Sequence, residues 1–103
     1  MKTLDEALKF IAEKYKNTEE YYPDLAGMTA EEKLKFAVRH CAIHSAKTTG
    51  KLSALCEDAD HGDKLDIEKA KTLAVKELIN SLTLADRVGL TAEELLKKIS
   101  KEA

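Results

Sequence analysis

Little in this chain favours strands or long loops. Its 103 residues include one proline, four glycines and no tryptophan, and aromatic residues make up only 5%. That leaves little material for a sheet. No apolar run approaches the roughly 18 residues of a membrane span, and the N-terminus lacks the apolar core of a signal peptide. The expectation is a cytoplasmic protein with no membrane partner. There is no glycine-rich phosphate loop, CxxC, HExxH or nucleophile elbow, so the common nucleotide, redox, metalloprotease and serine-hydrolase signatures are missing. Only two cysteines occur, Cys41 and Cys56. If both lie on one helix they stand about 22 Å apart, far beyond disulfide reach, and read as small buried hydrophobes of a reducing compartment.

What the chain does contain is leucine, alanine, lysine and glutamate, a helix-forming mixture sufficient for one domain spanning residues 1–103. The formal net charge of −2 hides a segregated pattern. Residues 1–32 carry −4, 33–56 carry +5, 57–65 carry −3, and 66–103 sum to zero. Overall acidity argues against non-specific nucleic-acid binding, whereas a local +5 suits phosphates or a partner's carboxylates.

Three segments open with the same signature: Thr3-Leu4-Asp5-Glu6, Thr29-Ala30-Glu31-Glu32 and Thr91-Ala92-Glu93-Glu94. Each is a capping box, in which the threonine hydroxyl and the glutamate satisfy amides of the first helical turn. Helices are expected over Leu4–Lys16, Ala30–Asp58, Asp66–Val88 and Thr91–Lys101, with Asp66 as an N-cap and Gly89 closing the third. The Asn17–Gly27 segment reads as a loop in which Tyr21 and Tyr22 either pin the chain to the bundle or stack on a ligand base. Glu57-Asp58-Ala59-Asp60 lacks the spacing of a calcium loop and reads as a helix end and solvated turn.

The stretch Lys33–Cys56 holds five basic residues, two histidines and no carboxylate. At 3.6 residues per turn, His40, His44, Lys47 and Lys51 stack along one face, while Leu34, Val38, Cys41, Ala42, Leu52 and Cys56 form an apolar stripe expected to pack as core. The third helix has an apolar arc so wide that it belongs at the centre of a bundle. Glu77 falls within that arc and Asn80 near its edge. A carboxylate among leucines needs a partner, and the expectation is that Lys47 or Lys51, with His44, faces Glu77 and Asn80. His40 and His44 have the i, i+4 spacing of two metal ligands, but zinc needs more. Asp60 and His61 lie some 20 Å further along the helix and join only from an antiparallel partner chain. The simpler expectation is two partly buried or solvated histidines.

The order of elements resembles a known family. A helix carrying GKL, then KELINSLTLADRVGL followed by TAEELLKK, is similar to the all-α nucleotide pyrophosphohydrolases of the MazG type, with their EExGEL and EELADVLxxLxxLADxLGI stretches. The resemblance covers about residues 33–100 and is best over 76–98. In that family the ExxE and ExxD carboxylates hold magnesium for cleavage of nucleoside triphosphates to monophosphate and pyrophosphate. Laid over this chain, ExxE falls on Thr48 and Lys51, and ExxD on Glu77 and Asn80. Only Glu77 is an acid, so any magnesium would rest on it alone. The resemblance therefore implies Glu77 and Asn80 at the catalytic positions and His44, Lys47, Thr48 and Lys51 against a nucleotide's phosphates. With its metal site degenerate, the chain would have weak or no turnover and would need no cofactor; a non-catalytic interaction module is the alternative. The fold expected is an all-α bundle around an antiparallel hairpin of the second and third helices, completed by dimerisation because the third helix is apolar on too many sides.

Overall fold

The computed structural model describes residues 1–102. Four helices follow in order: α1 (Leu4–Lys14), α2 (Ala30–Asp60), α3 (Ile67–Arg87) and α4 (Ala92–Glu102), with a 3₁₀ turn at Pro23–Leu25 between the first two. The expected α class and the four helical segments are present.

Local chemistry accounts for the helix ends. At α2 the capping box is complete: the Glu32 amide donates to Thr29 Oγ1, and the Glu32 carboxylate accepts from the Thr29 amide. The same two backbone bonds open α4 at Thr91 and Glu94. At α1 only the threonine half is made to backbone, since Glu6 Oε1 accepts from the Thr3 hydroxyl. Asp66 caps α3 by accepting from the Lys69 amide. Both hairpin helices end on glycine. Gly62 and Gly89 have φ of 101° and 82°, the left-handed region that other residues enter at a cost. Asp63 N bonds Asp58 O and Leu90 N bonds Ala85 O, the six-to-one closure of a Schellman cap. α1 stops at Lys14, not Lys16 as the sequence suggests. The reason is tertiary: the Arg87 guanidinium at the end of α3 reaches the Tyr15 carbonyl and also pairs with Asp86 at 2.6 Å.

α2 and α3 form the antiparallel hairpin, and α1 lies against α3 with α4 against α1. The buried side chains are Leu8 and Ile11 of α1, Leu25 of the 3₁₀ turn, Ala37, Cys41 and Leu55 of α2, and Leu73 and Ala85 of α3. This core is small and no large side chain is wholly enclosed. The radius of gyration is 16.3 Å, against about 13 Å for a compact domain of this length. The accessible surface is 7832 Å², about 2,000 Å² more than a folded monomer of this mass exposes.

Three expectations are corrected here. Of the α2 stripe read as core, only Cys41 is buried; Leu34, Val38, Ala42, Leu52 and Cys56 are exposed. α3 is not enclosed on several sides, because Val75 and Leu78 each remain 58% exposed. The cysteines, both free, differ in environment. Burial beside α3 pushes the Cys41 thiol up, partly offset by Arg87, whereas Cys56 lies open.

Candidate functional site

The hairpin divides the polar residues between two sides. On one side lies a cleft of about 580 Å³ between the end of α1, the following loop, α2 and α3. Tyr15, Tyr21, Tyr22, His40, His44 and Asn80 are among its walls, with Lys14 and Lys16 at the end of α1. Four aromatic rings cluster at this wall. Tyr22 meets Phe36 and His40 edge-on at 5.3 and 4.9 Å between centroids, and Phe36 and His40 lie nearly parallel at 5.5 Å. His44 follows edge-on to His40 at 4.5 Å. Tyr22 Oη is 2.8 Å from His40 Nε2, which is in turn 3.0 Å from His44 Nε2. Burial, and then the neighbouring His44 charge, push the His40 pKa below its ordinary value. Of the tyrosine pair, Tyr22 pins the loop to α2 through His40, while Tyr21 is 75% exposed at the cleft mouth.

On the other side an open groove runs between Thr48, Thr49 and Leu52 of α2 and Leu73, Ala74, Glu77 and Leu78 of α3. Glu77 sits here, and its partner is not a lysine. Ser45 Oγ donates to Glu77 Oε1 at 2.9 Å, and Asn80 Nδ2 donates to Thr48 Oγ1 at 3.2 Å. Glu77 Oε2 is buried with no hydrogen-bond partner. Among the described residues no ion pair includes Glu77, Lys47 or Lys51, and both lysines are exposed. The expected lysine–glutamate contact is absent for a geometric reason. In an antiparallel hairpin, advancing along α2 means receding along α3, so Asn80 shares the cleft with His44 while Glu77 shares the groove with Thr48. Lys51 stands a turn nearer the hairpin tip, and Lys47 lies about 100° around the helix from Thr48.

The six candidate residues are thus not one constellation. His44 and Asn80 line the cleft, Thr48 and Glu77 the groove, and Lys47 and Lys51 neither. Glu77, Asn80 and Thr48 offer one carboxylate, one amide and one hydroxyl, with the last two bonded to each other. Magnesium prefers an octahedron of hard, mostly anionic oxygens. These residues do not fit it.

Sequence reasoning missed Ser45, Tyr22 as a partner of His40, and Arg87. Only Ser45 carried a usable signal. Val38, Ala42, Ser45, Thr49, Leu52 and Cys56 repeat at spacings of four, three, four, three and four, a seam with no charged residue. Among the described residues no three His, Cys, Asp or Glu side chains converge as a metal cluster, and no helix is long and apolar enough to cross a membrane. Compared with models of known protein families, with characterised proteins and with solved structures, the chain matches none.

Proposed function

We propose that this chain is a non-hydrolytic, MazG-like helical module that works as a homodimer, with the exposed groove side of one hairpin packed on that of a second copy. One observation carries the reading: the charge-free heptad seam on α2 lies open beside the exposed Val75 and Leu78 of α3. The surface in excess of a compact monomer, about 2,000 Å², is ample for an interface that removes roughly 800 Å² from each partner. A hairpin of two helices covers too little apolar surface to hold itself together at its tip, and a second hairpin would complete a four-helix core. Sedimentation equilibrium at micromolar concentration should return twice the 11.4 kDa of the chain. A stable monomer would end the proposal. With magnesium or manganese, pyrophosphate release from nucleoside triphosphates should not exceed the buffer rate; release abolished by Glu77→Ala would restore the hydrolase reading.

A second reading, nucleotide binding without turnover, is favoured by the cleft. Its tyrosines offer faces for a planar base, and Lys14, Lys16 and His44 offer cationic or donor groups for phosphates. In this reading the phosphate contacts move from Lys47 and Lys51 to the end of α1. Calorimetric titration with nucleoside mono- and triphosphates, without metal, should give binding that Tyr21→Ala weakens. No heat with any nucleotide would remove this reading and leave the dimer module.

A further inference from the structure

His40 Nε2 has two partners and a single position to offer them. In the ring plane an imidazole nitrogen carries either one proton or one lone pair. Yet Tyr22 Oη stands 2.8 Å away and His44 Nε2 3.0 Å away. If the nitrogen is protonated, one hydrogen must serve two acceptors; if it is not, one lone pair must accept from two donors. A metal ion removes the conflict, because each of the three atoms then directs its own lone pair at the ion. Donors about 2.0–2.1 Å from such an ion, at angles of 90–110° to one another, stand about 2.8–3.4 Å apart. The two observed separations lie at the short end of that range.

We propose that Tyr22 Oη, His40 Nε2 and His44 Nε2 form a binding site for a divalent transition-metal ion, Cu(II) or Zn(II), with the remaining coordination open to the cleft. The third donor is a phenol, brought in by the loop before Pro23. Packing preorganises the donors. His40 packs against both Phe36 and Tyr22, the Tyr22 amide bonds Thr18 O at 2.9 Å, and His44 follows His40 by four residues on the same helix. Two imidazoles and a phenolate are a borderline set. They disfavour magnesium and calcium, which take oxygen ligands, and Cu(I), which takes thiolates. On coordination the phenol proton passes to solvent and an oxygen–metal bond forms; no electron is transferred. The site depends on neither the dimer nor the nucleotide reading.

The test is titration of the full chain with Cu(II) and with Zn(II), followed by calorimetry and visible absorption in a buffer free of chelators. The expected result is one ion per chain with Kd of about 1–10 μM, and a phenolate-to-copper charge-transfer band. Tyr22→Phe should abolish the band and weaken binding by about 10-fold, and His44→Ala should weaken it by about 100-fold. His44 is exposed, so His44→Ala should retain the wild-type circular dichroism. His61→Ala, which removes the other exposed histidine near a carboxylate, should change nothing. The proposal is overturned by absence of binding at about 1 mM metal, by binding that His44→Ala leaves intact, or by binding that follows His61.

Discussion

Along α3 the two ends have different surroundings. The C-terminal half lies against both α1 and α2, Ala85 is buried there, and Arg87 fastens the end of α1 through the Tyr15 carbonyl. In the N-terminal half only Leu73 is buried, while Ile67, Val75 and, just past the midpoint, Leu78 lie more than half exposed. Apolar patterning is similar in both halves. What differs is that α1, at 11 residues, is about 16 Å long and covers only one half of the hairpin. A helix apolar on several sides is therefore covered at one end by its own chain and left open at the other, the end that the proposed dimer would cover.

The largest effect should come from charging the open end. Leu78→Asp would place a carboxylate in the proposed interface and weaken self-association by at least about 100-fold, seen as a halved mass by light scattering. An unchanged mass would move the interface elsewhere. Next is the shared seam. Leu73→Ala should cost about 2–5 kcal/mol in denaturant unfolding, because Leu73 retains only 3% exposure. A cost well below that would mean that α2 and α3 pack loosely even where Leu73 lies between them. Ser45→Ala removes the one donor to Glu77 and should cost about 1–3 kcal/mol, while Lys51→Ala should stay within about 0.5 kcal/mol. The reverse order would reinstate a lysine–glutamate pair. Smaller still, Gly50→Ala should raise stability by up to about 1 kcal/mol, since a Cβ there meets nothing within 4 Å. If instead it disrupted a dimer, Gly50 would be an interface position.

The closed end should also respond to pH. The His40 pKa is lowered by burial and by His44, so the folded state favours neutral imidazole. Its contribution is present above the unfolded value, about 6.5, and is lost as pH falls through the lower folded value. Denaturation midpoints should fall from pH 7.5 to 5.5, and His44→Gln, which removes the repelling charge, should make the fall shallower. An equal fall in both proteins would place the effect elsewhere.

Helix starts were legible because their causes lie within a few residues, and so were the glycines that close the hairpin helices, although α1 ends two residues earlier and α2 two residues later than the sequence suggests. Thr29 with Glu32, Asp66 with the Lys69 amide, and Gly62 and Gly89 past the hairpin helices act through contacts at most five residues apart. The partner of Glu77 was not legible. Its identity depends on hairpin register, and the lysine stripe and the serine-bearing seam share the same four-and-three spacing on one helix. Charge complementarity favoured the lysines, but register placed Ser45 and Thr48 against α3. The third donor beside His40 and His44 was hidden for a related reason, since Tyr22 precedes His40 by 18 residues across a loop.

The sequence by itself determined an α-class chain of four capped helices, a basic central helix and a third helix apolar around much of its circumference. These follow from propensity, capping and composition, which are local or additive. Only the tertiary structure decided which face of α2 meets α3, that Glu77 takes a hydroxyl and not an ammonium, and that Tyr22 reaches the histidine pair. Each depends on how distant segments are placed in register, and the sum of local preferences is nearly the same for several registers.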